Sequence, residues 1–245
     1  SAPPTIGFLG NSLIYYNDLP SLLSPLLPHS AHLCLRGGCS LTTLLSKGAR
    51  HPLTGHALHE TVAGLFNGRR FDFVVMNDHS QAPARDETRE ESLASLRSTY
   101  APQLASSGAT PVLMATWSYR VPAKNSEDLG DVPEFTAKLA AGVAEYAALL
   151  ASLLPSSQAP VVANWGAAAL LVHRERRELW ERLYDEDNYH PALLGSQLLA
   201  RVIYVAVFGA EKGRERRDQE VGGGGDDEPT LSYFWTVAER VAGNQ

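Results

Sequence analysis

Short apolar runs alternate with longer stretches of helical spacing along most of the chain. Residues 5–9, 32–35, 71–76, 110–115 and 160–163 are such runs, each ended by a glycine or a polar cluster. They read as five strands buried on both faces. Between them, apolar residues recur at helical intervals. Residues 87–104 carry Leu93, Leu96, Tyr100 and Leu104, and residues 134–154 carry Phe135, Leu139, Tyr146, Leu150 and Leu153. Further helices are predicted over 18–27, 54–66, 167–182, 192–208 and 231–241, with Pro20 and Pro191 in first turns, where a missing N–H does no harm. Residues 121–133 are polar and read as a loop. Strands that alternate with helices predict a parallel sheet covered on both faces.

Composition narrows the classes. The 245 residues are 44% hydrophobic and 20% charged, so one domain spanning residues 1–245 is expected. Residues 211–220 are almost all charged and residues 221–229 hold four consecutive glycines, so a flexible excursion is expected near 211–230. A net charge of -6 speaks against nucleic acid and against an anionic membrane. No apolar run approaches the ~20 residues of a membrane span. Two cysteines, Cys34 and Cys39, cannot make a disulfide framework and suit a reducing compartment. With no charged segment and apolar core ahead of residue 5, a cytoplasmic location is favoured, though a leader removed before numbering began would leave no trace. Oligomeric state has no signature in the chain.

In a parallel sheet the strand ends point to one edge, where open α/β folds keep their ligands. Ser12 follows the first strand, Gly38 the second and Asn77 the third, while Asp187 and His190 precede the late helix. Singly, each has a plain reading: a helix cap, a tight turn, a strand-end turn, a capping pair. Together they supply what acyl transfer needs. Ser12 is a nucleophile once His190 takes its proton, and Asp187, three residues away, can orient the imidazole. The N–H groups of Ser12 and Gly38 and the amide of Asn77 can serve as oxyanion donors.

These blocks resemble the SGNH (GDSL-like) hydrolases: Gly10-Asn11-Ser12-Leu13, Gly37-Gly38-Cys39-Ser40-Leu41, Met76-Asn77-Asp78 and Asp187-Asn188-Tyr189-His190-Pro191. Many members have aspartate at the position of Asn11, and the family's glycine before the Asn-Asp pair is Val75 here. The resemblance covers roughly residues 5–208. It implies a flavodoxin-like three-layer α/β/α sandwich with a five-stranded parallel sheet of order 2-1-3-4-5. It also implies hydrolysis of a small-molecule ester, with O-acetyl or short acyl esters on carbohydrate favoured, and no metal or other cofactor.

Other residues stay open between two roles. Asp185 competes with Asp187 as the orienting acid. His79 is either at the pocket rim or a surface-turn histidine. Trp117 and Tyr119 either bind substrate or pack over the sheet end. Two rival functions remain: a ligand-binding module on the same fold, motivated by Val75, and a nucleotide-binding protein, which lacks any phosphate-loop motif.

Overall fold

The computed structural model describes residues 2–50, 53, 55–121, 123, 126–220 and 228–243. Among them runs one all-parallel six-stranded sheet: β1 (Thr5–Gly10), β2 (Ser30–Leu35), β3 (Ala57–Leu58), β4 (Phe73–Met76), β5 (Thr110–Ala115) and β6 (Val161–Asn164), in the order β3-β2-β1-β4-β5-β6. The five expected strands keep their expected order. The sixth, β3, is a two-residue edge strand beside β2.

Strand residues alternate between two cores, because successive side chains leave opposite faces of a sheet. Ile6 and Phe8 of β1, Val75 of β4 and Val112 and Met114 of β5 enter one apolar cluster. Leu9, Val74, Met76, Leu113 and Ala115 enter the other. The first cluster is closed by α1 (Ser12–Tyr15), α2 (Leu19–Leu23), α8 (Trp165–Glu175), α9 (Arg177–Glu181), α10 (Leu193–Glu220) and α11 (Glu228–Ala242). The second is closed by α3 (Leu41–Lys47), α4 (Val62–Phe66), α6 (Ala101–Ser107) and α7 (Val132–Leu153), with α5 (Asp86–Ser95) leading into α6. Helices thus cover both faces, giving three layers.

Several expected elements differ in their limits, each for a physical reason. The helix expected over 54–66 is only α4, capped by the Thr61 side chain on the Gly64 N–H. Ala57 and Leu58 give their backbone to the β2 edge instead, and Thr54 lies outside the described residues. The helix expected over 87–104 contains a π turn at Leu96–Tyr100, in which Ala101 N–H reaches back to Leu96 O. Pro102 has no N–H to give to the turn before it, and the wider turn absorbs the missing bond. The helix expected over 167–182 begins at Trp165, capped by Asn164, and breaks at Arg176.

Of the flexible excursion expected near 211–230, residues 211–220 and 228–230 are helical, and 221–227 lie outside the described residues. At Gly209 the chain takes φ +85° and folds back, so both halves of α10 pack with α11. Arg201, nearly buried, pairs with Glu220 at 2.6 Å, and the second Glu220 oxygen accepts the Trp235 indole N–H at 2.6 Å. Counted end to end, Leu193–Glu220 is long and apolar enough to cross a membrane, but the bend at Gly209 divides it into two shorter arms. Here it is a core helix, with Leu198, Leu199, Val202, Ile203 and Val205 all buried.

The two-sided core makes a sharp contrast in stability. Phe8, fully buried in β1, should cost about 3–5 kcal/mol on truncation to Ala. Leu58→Ala on the edge strand, where the side chain is 48% exposed, should change stability by less than about 0.5 kcal/mol. Urea unfolding of the two variants checks this directly.

Candidate active site

β1 ends at Gly10, and α1 starts two residues later with Ser12 as its first residue. Asn11 between them is the N-cap, accepting the Leu13 N–H at 3.2 Å. Both protons of the Asn11 amide are given away, to Cys39 O and to Asp78 O, each at 3.0 Å. Its oxygen also accepts from Asn77 Nδ2 at 2.9 Å, and Asn77 Oδ1 accepts the Asn11 N–H at 3.2 Å. One buried amide pair therefore ties together the carboxyl ends of β1 and β4 and the loop after β2. Gly10 makes this approach feasible: its φ is +149°, and a Cβ there would lie 1.9 Å from Asn77 Oδ1.

Asp78 braces the same loop from below. Its Oδ1 accepts the N–H groups of Leu41 at 3.0 Å and His79 at 2.8 Å, and its Oδ2 accepts the Tyr146 hydroxyl at 2.9 Å. Burial pushes the Asp78 carboxyl above the usual range against these donors. Val75, at the family's glycine position, is a β4 residue in register with Phe8 and Val112, and its side chain belongs to the apolar core.

His190 arrives on the segment between α9 and α10. Tyr184 and Pro191 close that segment with an antiparallel bridge, and Asp185 N–H donates to His190 O at 2.9 Å. Asn188, with φ +71°, takes the left-handed turn at its tip. Ser12 Oγ lies 2.7 Å from His190 Nε2. On the other side of the ring, His190 Nδ1 lies 2.6 Å from Asp187 Oδ2. Asp187 Oδ1 accepts the backbone N–H groups of Tyr189 at 3.1 Å and His190 at 2.9 Å. Burial pushes the Asp187 carboxyl up, but the His190 ring and these two N–H groups outweigh it and hold the carboxyl below its ordinary value. Asp187 is thus a carboxylate at neutral pH. Of the two competing acids, Asp187 takes the imidazole, and Asp185 accepts the Tyr16 hydroxyl at 2.5 Å.

A cavity of about 420 Å³ opens over Ser12, lined among the described residues by Tyr15, Gly38, His79, Tyr119, Tyr189 and His190 with their neighbours. The N–H groups of Ser12 and Gly38 have no acceptor among the described residues, and Gly38, with φ +63°, sits in a turn with nothing within 4 Å of a built Cβ. Asn77 is not in the lining. It is 2% exposed, and both its amide protons are committed, to Asn11 Oδ1 and at 3.0 Å to Asp78 O. His79 is in the lining, and its Nδ1 accepts the Gln81 N–H at 3.3 Å, which leaves its proton on Nε2. Burial lowers its pKa, so the ring is neutral at neutral pH. Tyr119 also lines the cavity, with its hydroxyl held by Ser80 at 2.8 Å and by Gln81 Nε2 at 3.0 Å.

Trp117, the other aromatic left open between binding substrate and packing over the sheet end, is 1% exposed and does not line the cavity. It is stacked between Trp165 at 3.8 Å and Tyr184 at 4.1 Å, and its indole N–H donates to Tyr189 O at 3.0 Å. Burial between two rings makes it a support for the His190 segment. Arg120 does the same, donating from its backbone to Asn188 O at 2.8 Å and from Nε to Asn188 Oδ1 at 2.8 Å. The sequence signals missed the tyrosines at 15, 16 and 189. Tyr16 could have been found from its spacing: it lies four residues after Ser12, one helical turn on.

Asn11→Asp, which restores the residue common in the SGNH hydrolases, should destabilise this protein. A carboxylate there would set lone pairs against Cys39 O and Asp78 O, leaving buried acceptors without donors at a cost of about 1–3 kcal/mol. Thermal unfolding at neutral pH checks the sign.

No protein-family model matches this chain, and no curated protein does. Solved structures do. A candidate SGNH hydrolase from Slackia heliotrinireducens matches at a TM-score of 0.63 and 26% identity, over 84% of this chain and 100% of that one. A DUF4886 family protein from Bacteroides uniformis matches at a TM-score of 0.69 and 14% identity, over 97% and 94% of the two chains, and shares the fold. Over most of its length, the chain resembles the SGNH (GDSL-like) hydrolases.

Proposed function

We propose that the protein is a serine hydrolase that cleaves carboxylic esters through an acyl-enzyme. One observation carries the reading: Ser12 Oγ is 2.7 Å from His190 Nε2 while Asp187 Oδ2 is 2.6 Å from His190 Nδ1, so one imidazole connects nucleophile and orienting acid. The likeness to the Slackia protein supports the same class.

Ser12 Oγ attacks the ester carbonyl carbon as its proton passes to His190 Nε2. The carbonyl electron pair moves to oxygen, and the N–H groups of Ser12 and Gly38 receive the oxyanion. Collapse breaks the bond to the alcohol oxygen, which leaves with the proton held by His190. Water then gives a proton to the same nitrogen and attacks the acyl carbon, and the second collapse releases the acid and restores Ser12. Asp187, ionised throughout, holds the Nδ1–H tautomer and neutralises the imidazolium. Asn77 serves this reaction from beneath, by fixing Asn11 and with it the start of α1.

The preferred substrates are O-acetyl and short acyl esters. The cavity suits a small acyl group, and Tyr15, Tyr119 and Tyr189 offer rings and hydroxyls to the alcohol part, a carbohydrate among the candidates.

A fluorophosphonate probe should label Ser12 in the folded protein, and Ser12→Ala should lose both labelling and p-nitrophenyl acetate hydrolysis. An unlabelled parent, with Ser12→Ala hydrolysing at the parent rate, rejects the proposal. Asp187→Asn should lower kcat by about 10⁴-fold, because the wrong tautomer then faces Ser12. Asp185→Asn should leave most of the rate, which steady-state kinetics of the pair resolves.

A further inference from the structure

We propose that Tyr16 is a positioning residue that clamps the imidazole of His190, its ring flat on the histidine and its hydroxyl anchored to Asp185. The inference rests on His190 being the base of the proposed hydrolysis.

α1 carries both the nucleophile and the clamp. Ser12 is its first residue, and Tyr16, just past its end, donates its backbone N–H to Ser12 O at 2.8 Å. From there the tyrosine ring lies on His190 with centroids 4.3 Å apart and planes 2° from parallel. The hydroxyl continues past the imidazole to Asp185 Oδ2 at 2.5 Å, and Asp185 N–H bonds His190 O. The result is a closed circuit: α1 to Tyr16, Tyr16 to Asp185, Asp185 to His190, and His190 back to Ser12. Asp185 holds the Tyr16 phenol so firmly that its pKa is pushed up to about 12.

Core packing does not explain this contact, because Tyr16 is 42% exposed. Its ring nonetheless covers a face of the one side chain that must both keep its direction and change its charge. Asp187 stops the imidazole at Nδ1 and Ser12 meets it at Nε2, but neither hydrogen bond restrains tilting of the ring out of its plane. A parallel ring at 4.3 Å does. The same π face attracts the imidazolium that forms when the Ser12 proton arrives, so the contact strengthens in the transition state. The Tyr189 ring also lies near the imidazole, with centroids 4.1 Å apart, and the guanidinium of Arg120 is engaged with Asn188.

The test compares kcat and KM for p-nitrophenyl acetate in the parent, Tyr16→Ala, Tyr16→Phe, Asp185→Asn and the Phe/Asn double variant, with Ser12→Ala as control. Tyr16→Ala should lower kcat roughly tenfold with KM changed by less than about twofold. Its melting temperature should stay within a few degrees of the parent. Tyr16→Phe should restore most of the lost rate, because the ring remains. Asp185→Asn and Tyr16→Phe should slow the reaction by similar factors, and combining them should add little, since one weakens and the other removes the same hydrogen bond. A parental kcat in Tyr16→Ala, with Ser12→Ala inactive, overturns the clamp and leaves the hydrolase intact. Equal turnover by the parent and Ser12→Ala overturns the hydrolase reading and the clamp with it.

Discussion

Two buried asparagines hold the functional edge together. Asn11 and Asn77 exchange hydrogen bonds at the ends of neighbouring strands, and Asn11 reaches on to the loop after β2 through Cys39 O. A buried amide left without partners would cost about 1–3 kcal/mol, so this network has few ways to be satisfied. In satisfying it, the chain sets the direction of α1 and the position of Ser12 at its first turn. The N–H of Ser12 has no acceptor among the described residues, because helix geometry leaves first-turn donors without partners. Gly10 at φ +149° is what brings the two asparagines into range.

The second half of the site is built by different means. The segment from Tyr184 to Pro191 is no regular element, and its shape comes from what surrounds it. Trp117, stacked between Trp165 and Tyr184, holds Tyr189 O, while Arg120 holds both the carbonyl and the side chain of Asn188. These supports come from the end of β5, so the sheet edge that carries Ser12 also steadies the histidine. Asp187 and the Ser12 hydroxyl then set the two imidazole nitrogens, and Tyr16 lies on the face of the ring.

Much of this was legible in the sequence. Five apolar runs gave the strands, and their alternation with helices gave the parallel sheet; the family likeness supplied the order, which the structure keeps. What escaped the pattern was local. A two-residue edge strand has too few positions to show a period, so Ala57 and Leu58 read as helix. Pro102 marked the disturbed turn in the helix before β5, yet helical spacing continued across it. At the candidate site, Ser12, Asp187 and His190 could be singled out because their residue types and order are specific, and the structure brings the three side chains within hydrogen-bond distance. The part played by Asn77 could not, since a side-chain amide looks the same in sequence whether it faces a cavity or a buried neighbour. Trp117 follows the second of its two readings, packing over the sheet end, and the pattern could not choose between them because the rings that bury it lie far along the chain.

In the proposed reaction Ser12, activated by His190, becomes covalently acylated. The most direct measurement of this step is mass spectrometry of protein acid-quenched during turnover of p-nitrophenyl acetate, with the modified peptide sequenced. An acetyl group is expected on Ser12 in the parent and none in His190→Ala. Steady turnover with no acyl group on Ser12, or with the same adduct level in His190→Ala, would contradict the proposed reaction.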